Sequence, residues 1–270
     1  MWPLVPVAMS LGAALLLGLI QGLTEFLPVS SSGHLALAQM LIPGFSQPGV
    51  LFDAVLHVGT ASAVVWFERR QILEWASSRT GWRMLGLLVV GTLATAVVGL
   101  LLRDVAEASF VKPLWVGVFL VVTGLVVAAT RFLAGGDRDE EGMSWRQAAV
   151  IGLLQGAAVF PGLSRSGTTI AAGLGVGLDR RWAARFSFLL GVPAIAGVTV
   201  AELVAQRDVL TGHSAEFFIA CALGAIAAAL SGYVALKIVL RTLSSRVFHR
   251  FSWYCLPLGL LVIALVVGGH

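Results

Sequence analysis

The sequence predicts an all-α polytopic membrane protein with an inverted-topology repeat, built from six transmembrane helices plus two re-entrant helical hairpins. Three observations predict this class. Of the 270 residues, 58% are hydrophobic and 12% are charged, with a mean hydropathy of +0.91. Several apolar runs are long enough to cross a bilayer, and two polar motifs recur 134 residues apart. A soluble domain of this length could not bury so much apolar surface, whereas a bilayer can accommodate it.

The predicted spans are apolar runs that approach the roughly 20 residues needed to cross a bilayer. Two further apolar regions, 5–43 and 148–178, are interrupted near the middle by Pro, Gly and Ser. Non-helical backbone at membrane depth is tolerated only where protein or a polar cavity surrounds it. These two regions are therefore predicted to be re-entrant hairpins that enter and leave on one side. The spans are 50–67, 84–102, 113–130, 185–205, 215–240 and 251–267.

The two motifs divide the chain into repeats. They begin at Gln21 and Gln155 and match at six positions, always with the offset of 134. Residues 1–134 and 135–270 are each predicted to contain one hairpin followed by three spans, within one integral membrane domain. An odd number of spans inverts the second repeat, so the hairpins would enter from opposite faces and meet near the midplane. The charged loop 131–147 joins the repeats and is predicted to be solvated.

The basic residues predict the orientation. Fourteen of the 18 Lys and Arg residues fall on one side of this scheme, which the positive-inside rule assigns to the cytoplasm. The net charge of +4 therefore reflects topology, and no nucleic-acid partner is expected. Cys221 and Cys255 lie in apolar segments and predict neither a disulfide framework nor a metal site.

The motifs bring ionisable side chains to membrane depth, where they are costly and usually functional. Glu25 lies in the first motif and Arg165 in the second. Pro28, and Pro161 with Gly162, are expected to end the incoming helices. The turns after them should therefore lie inside the protein.

The helices that return from the turns are expected to begin near His34 and near Thr168, with Ser32 and Ser166 as their N-caps. Two helix N-termini would then direct free N–H groups and positive dipole ends to one place, a favourable site for phosphate. Arg165 adds a planar, permanently charged fork for phosphate oxygens. The predicted occupant is an anion, a phosphate or a diphosphate.

Groups for phosphoryl transfer lie beside this anion site. Glu25, His34 and the hydroxyls of Ser30, Ser31 and Ser32 supply candidate bases and nucleophiles. Together with a cation they form the minimum set for phosphoryl transfer. A carboxylate here could also hold a divalent ion that bridges phosphate oxygens.

Each candidate also has a purely structural interpretation. A serine in a membrane helix commonly bonds to the backbone, and Arg165 with Glu25 could be an ion pair that ties helices together. Asp53, at the start of its span, is either a further acid of the site or an outward-facing cap. His57 has no motif around it and is interpreted as a satisfied interior residue.

The chain resembles the undecaprenyl-diphosphate phosphatase family of bacterial inner membranes, also called bacitracin-resistance proteins. The resemblance spans essentially the whole chain. It depends on GLTEFLPVSSSGH at 22–34, on Phe52-Asp53 with Gly59-Thr60, and on PGLSRSG at 161–167, in this order. It implies hydrolysis of undecaprenyl diphosphate to the monophosphate, which recycles the lipid carrier for peptidoglycan and other cell-wall polymers. It also implies dependence on a divalent metal, Mg²⁺ or Ca²⁺, and a site open to the outer, periplasmic face.

The resemblance implies that Glu25, Ser31, His34 and Arg165 are catalytic. The predicted phosphate-binding residues are the two implied contacts Ser30 and Ser164, together with Ser32, Ser166 and Thr168.

The predicted metal ligand is Glu25, with Gln21 and Asp53 as further candidates. Many family members carry Glu where this chain has Gln21, so a mechanism that needs two charged acids on this helix is in question. A Gln can coordinate through its carbonyl oxygen but adds no charge, and Asp53 is a candidate substitute.

Several alternatives stay open at the level of sequence. Ser31, His34 or a water molecule could be the nucleophile. A lipid-phosphate flippase or an anion transporter is the competing functional class, because inverted repeats with broken hairpins are frequent in transporters. The expected partners are a polyprenyl diphosphate lipid and the bilayer, with a homodimer as a candidate assembly.

Overall fold

The computed structural model describes residues 10–42, 50–110, 112–205 and 214–269, and within them it is helical, with one isolated β-bridge between Arg138 and Leu178. This confirms the all-α prediction. A short 3₁₀ turn, Phe248–Phe251, precedes the last helix. The α-helices are α1 Leu11–Phe26, α2 Ser31–Leu41, α3 Val50–Ala76, α4 Arg79–Phe110, α5 Pro113–Ala129, α6 Trp145–Ala157, α7 Arg165–Gly175, α8 Arg180–Ala205, α9 Ala215–Ser244 and α10 Ser252–Val267.

Five helical segments in the described residues are long and apolar enough to cross a membrane. They coincide with five of the six predicted spans. The sixth prediction, 113–130, coincides with α5, a shorter apolar helix of 17 residues. The protein is therefore a polytopic membrane protein. The five segments are Leu51–Ala76, Gly81–Phe110, Arg180–Val204, Ala215–Ser244 and Phe248–Val267.

The two predicted hairpins are present as helix–turn–helix pairs. The first is α1 with α2, and the second is α6 with α7. The predicted limits 5–9 and 43 of the first hairpin lie outside the described residues. The helix limits repeat at the predicted offset, since α7 begins and ends 134 residues after α2, and α6 begins 134 residues after α1. The opposite orientation of the repeats across the membrane stays a prediction.

The helices that return from the turns begin earlier than predicted, at Ser31 and Arg165. The prediction that Ser32 and Ser166 are the N-caps was wrong. Ser30 caps α2, because it follows the turn directly and its hydroxyl accepts the Gly33 N–H at 3.3 Å; Ser164 caps α7 in the same way. Ser32 and Ser166 lie within the first turns instead.

Each hairpin packs on a long helix of the other repeat through small residues. A Cβ atom on Gly18 of α1 would lie 2.3 Å from the carbonyl oxygen of Gly224 in α9. A Cβ atom on Gly152 of α6 would likewise lie 2.2 Å from the carbonyl oxygen of Gly91 in α4. The backbones therefore approach as closely as small residues allow in membrane helix pairs. This exchange of partners joins the two halves of the chain and fixes the position of each hairpin along its partner helix.

The loop between α5 and α6 is only partly solvated. Asp137, Asp139 and Glu141 are exposed, as predicted. Glu140 is partly buried and accepts a hydrogen bond from the indole N–H of Trp75 in α3. Burial raises the pKa of Glu140 above its ordinary value. The loop therefore also anchors the end of α3.

The close contact at Gly18 predicts that alanine substitution affects stability very differently at two glycines of α1. Gly18→Ala should lower the unfolding midpoint in detergent, because overpacking typically costs about 1–3 kcal/mol. Gly12→Ala is the matched control, since a Cβ atom there meets nothing within 4 Å and alanine favours the helix. Equal midpoints for the two variants, measured by scanning fluorimetry, would contradict this packing.

Candidate active site

The tips of the two hairpins are in direct contact. A Cβ atom on Gly33 would lie 3.1 Å from Gly162 Cα, and one on Gly167 would lie 3.1 Å from Pro28 Cβ. The Ser166 hydroxyl also lies 3.2 Å from the carbonyl oxygen of Leu27 and donates to it. The glycines at both tips therefore allow the close approach of the hairpins. The prediction that they meet at the membrane midplane stays a prediction.

Neighbouring helices hold the second tip in place. Gly162 has a φ of +95°, a conformation that favours glycine. Thr123 of α5 donates from its hydroxyl to the Gly162 carbonyl and accepts from the Ser164 N–H, both at 2.8 Å. In the first tip, Ser30 has a φ of +71°, which is uncommon for a residue other than glycine. Such backbone is maintained where the surrounding contacts fix it, often at functional sites.

Glu25 is the centre of the site. Its side chain is 5% exposed and accepts hydrogen bonds from three residues. Oε1 accepts from Arg165, while Oε2 accepts from the Ser31 hydroxyl at 2.6 Å and from Gln21 Nε2 at 2.9 Å. His57 Nε2 lies 3.8 Å from Oε2. The structure therefore brings predicted residues from both repeats to one carboxylate.

Arg165 crosses from the second tip to the first beside a glycine of α8. Its Nη2 donates to Glu25, and its Nη1 donates to the carbonyl oxygen of Ser187 at 3.3 Å. A Cβ atom on Gly191 would lie 2.1 Å from Nη1. Only glycine at this position leaves room for the guanidinium in this orientation.

His34 is partly exposed and hydrogen-bonds to groups other than Glu25. Its Nδ1 lies 2.8 Å from the carbonyl oxygen of Ser30, and its Nε2 lies 2.8 Å from the hydroxyl of Tyr254 in α10. A carbonyl oxygen only accepts, so Nδ1 carries a proton. The rings of His34 and Tyr254 stack with their centroids 5.6 Å apart.

The predicted phosphate-binding residues differ in their access to a ligand. Ser30, Ser164 and Ser166 are buried, and their hydroxyls make hydrogen bonds within the tips. Ser32 and Thr168 are partly exposed in the first turns of α2 and α7. The hydroxyls of Ser32 and Ser166 lie 3.2 Å from those of the capping serines. Phosphate contact by this set stays a prediction.

The donors suit a divalent ion only in part. Gln21 Oε1 is buried without a hydrogen-bond partner, beside Glu25. Asp53 accepts a hydrogen bond from Gln39 at 2.9 Å. The described residues contain no group of three or more His, Cys, Asp or Glu placed to hold a metal. Gln21 and Glu25 would therefore hold Mg²⁺ only if phosphate oxygens and water supplied its other ligands, which is its usual mode.

Two residues near the site were not predicted from the sequence. His57, interpreted as a satisfied interior residue, lies beside Glu25 and points its other ring nitrogen at the Asp53 carbonyl, 2.8 Å away. Its place one helical turn after Asp53, within the stretch Phe52 to Thr60, could have suggested a shared helix face. Tyr254 is 220 residues from its partner His34, and no local pattern indicates it.

Comparison with known proteins gives a family for this chain. The family model described as "Bacitracin resistance protein BacA" matches residues 14–261. The chain belongs to this family. Among its relatives is the "Undecaprenyl-diphosphatase" of Desulfosudis oleivorans, 45% identical over 262 residues that cover 90% of this chain and 94% of the relative. The protein of the same name from Syntrophotalea carbinolica is 40% identical over 95% and 99% of the two chains, and that from Methanosphaera stadtmanae is 36% identical over 94% and 98%.

The buried pair of Glu25 and Arg165 predicts non-additive effects on stability. Arg165→Gln should destabilise this protein by about 3–5 kcal/mol, because the substitution leaves the buried carboxylate of Glu25 without its cation. The double variant Glu25→Gln/Arg165→Gln should be more stable than Arg165→Gln alone. Unfolding midpoints in detergent measure both effects.

The exposed pair of Arg103 and Glu107 provides the control. Arg103→Gln should leave the midpoint unchanged, since surface ion pairs contribute little. A double variant that is no more stable than Arg165→Gln would show that the two charges do not depend on each other.

Proposed function

We propose that this protein hydrolyses undecaprenyl diphosphate to undecaprenyl phosphate and inorganic phosphate. The activity would recycle the lipid carrier of cell-wall synthesis and confer resistance to bacitracin. One observation carries the proposal at the level of the site: a buried carboxylate joins a serine hydroxyl to an arginine where two helix N-termini meet. The family and the names of the relatives support the same reaction.

Ser31 and Glu25 form the reacting pair in this proposal. The hydroxyl of Ser31 already donates to Glu25 Oε2 at 2.6 Å, the geometry of a nucleophile with its base. Ser31 Oγ attacks the terminal phosphorus and its proton passes to Glu25. The bond from phosphorus to the bridging oxygen breaks, and undecaprenyl phosphate leaves with the electron pair. Water then attacks the phosphoserine, and Glu25 returns the proton to Ser31 as inorganic phosphate departs.

Arg165 would bind the terminal phosphate and make Glu25 available as a base. In the structure its Nη2 donates to Glu25, so the cation stabilises the carboxylate and opposes its protonation. A phosphate beside the guanidinium would share this donor and weaken its hold on Glu25. The planar fork also suits developing charge on phosphate oxygens.

Serine is favoured over His34 as the nucleophile. The Nδ1 of His34 donates to Ser30, and its Nε2 accepts from Tyr254, so both nitrogens are occupied. Ser31 needs no rearrangement to meet its base. His34 would instead lie at the edge of the site, close to where the diphosphate enters.

A divalent ion, Mg²⁺ or Ca²⁺, is proposed to enter with the substrate. Gln21 Oε1 and Glu25 are the protein groups that would hold it. When bound, the ion supplies charge neutralisation at the phosphate oxygens. Asp53 as a further ligand remains part of this proposal.

The proposed location is the bacterial inner membrane, with the site open to the periplasm. His57, beside Glu25, precedes Glu68 of α3 by eleven residues, about 16 Å along a helix. Glu68 pairs with Arg185 at the end of the molecule that is rich in basic residues. The positive-inside rule assigns that end to the cytoplasm, so the site would open opposite to it. One chain supplies the whole site, and the proposal does not require a homodimer.

The proposal predicts phosphate release by the purified protein alone. In detergent, with farnesyl or undecaprenyl diphosphate and Mg²⁺ or Ca²⁺, the protein should release inorganic phosphate without any gradient. EDTA should lower the rate. A flippase or an anion transporter would release none, so failure to detect phosphate would favour that class.

Two glycines of α8 connect this activity to the site. Gly191→Ala should lose most of the activity, because the added Cβ displaces the Arg165 guanidinium. Gly197→Ala should retain it, since a Cβ atom there meets nothing within 4 Å. Equal rates in the two variants would place the reaction elsewhere in the molecule.

The nucleophile can be identified by rapid quenching with labelled substrate. We expect an acid-stable phosphoserine at Ser31 and none in Ser31→Ala. An acid-labile label at His34 would identify the histidine instead, and the absence of any labelled enzyme would indicate direct attack by water.

A further inference from the structure

The C-terminal helix α10 contacts the first hairpin tip through two neighbouring residues. The thiol of Cys255 lies 3.3 Å from the carbonyl oxygen of Pro28, which it reaches as a weak donor. The hydroxyl of Tyr254 lies 2.8 Å from His34 Nε2. The start of α10 is therefore held against the first tip beside His34.

The direction of the hydrogen bonds is determined by the carbonyl of Ser30. This oxygen can only accept, so His34 Nδ1 donates to it. In the neutral ring Nε2 then has a lone pair, and the Tyr254 hydroxyl must be the donor to it. The stacked rings, with an interplanar angle of 19°, restrict the imidazole further. Tyr254 therefore determines both the orientation of the ring and the occupancy of Nε2.

The duplication of the fold does not account for this pair. The residue 134 positions before Tyr254 is Leu120, a fully buried apolar residue, and the residue 134 positions after His34 is Thr168. Tyr254 is 49% exposed, so it lies outside the buried core. A polar contact that exists in one repeat alone is better explained by the site than by packing.

We propose that Tyr254 is a positioning residue of the diphosphatase site, which holds the His34 ring in place and masks its Nε2. This inference rests on the proposed function. The mask keeps His34 from acting as a phosphoryl acceptor, while the fixed ring lines the entrance that the diphosphate uses. Tyr254 acts through His34 and has no assigned contact with the reacting atoms.

The test compares the chain's two tyrosines, Tyr254 and Tyr233. Tyr254→Phe keeps the stacked ring and removes only the hydroxyl. A hydrogen bond is typically worth a factor of about five, so KM should rise about fivefold while kcat changes less than twofold, because the ring lines the entrance and does not touch the reacting atoms. Tyr233→Phe is the matched control, because the ring of Tyr233 packs on Phe67 and Lys237, away from the site. Its KM should be unchanged.

A second readout measures how accessible His34 Nε2 is to a chemical reagent, and it does not require catalytic activity. Diethyl pyrocarbonate modifies unprotonated histidine nitrogens, and mass spectrometry maps the modified residue. Loss of the Tyr254 hydroxyl should raise the rate of His34 modification about fivefold. The rate at His249, in the 3₁₀ turn before α10, serves as the internal standard. Tyr233→Phe should leave both rates unchanged.

The two readouts separate this inference from the proposed function. If the wild type releases no phosphate, the proposed function fails, while faster modification of His34 in Tyr254→Phe still supports the mask. An unchanged rate of His34 modification in Tyr254→Phe overturns the positioning role, whether or not KM rises. If the wild type is active, an unchanged KM in Tyr254→Phe also overturns it.

Discussion

The ion pair between Glu25 and Arg165 is the interaction on which the rest of the site depends. Each residue would be a costly isolated charge in an environment with little water. They come from different repeats, and each also bonds to its own surroundings, Glu25 to Ser31 and Arg165 to the Ser187 carbonyl. The pair therefore connects four helices around one carboxylate. A substrate phosphate would bind beside a carboxylate and a guanidinium that already neutralise each other.

Close packing of small residues makes this pair possible. Gly33 meets Gly162 at the tips, and Gly18 and Gly152 allow the hairpins to approach the long helices of the other repeat. Without a hydrophobic driving force between helices in lipid, such close approach supplies much of the association energy. The position of each hairpin along its partner helix is thereby fixed, and with it the position of the charges that the hairpin carries.

The hairpin helices repeat along the chain, whereas their chemistry does not. The helix limits repeat at an offset of 134, yet the residues matching Glu25 and Ser31 in the second repeat are Val159 and Arg165. One repeat therefore supplies the acid and the hydroxyl, and the other supplies the cation. The division is suited to a diphosphate, which needs a base on one side and positive charge on the other. Gly191, which matches His57, leaves the space that the guanidinium occupies.

The sequence by itself predicted the membrane class, most of the spans and the two hairpins, and it identified Glu25 and Arg165 as the ionisable residues of the two motifs. That these two side chains meet was decided by the tertiary structure. Hydropathy, helix breakers and a repeat offset are properties of the linear chain, so a reader can extract them without coordinates. Only the tertiary structure decided which serines cap the helices, that Ser164 and Ser166 are buried, and that His57 and Tyr254 join the site. These depend on how each helix is rotated and how closely it approaches its neighbours. Local sequence patterns cannot predict a contact across 220 residues, such as that of Tyr254 with His34.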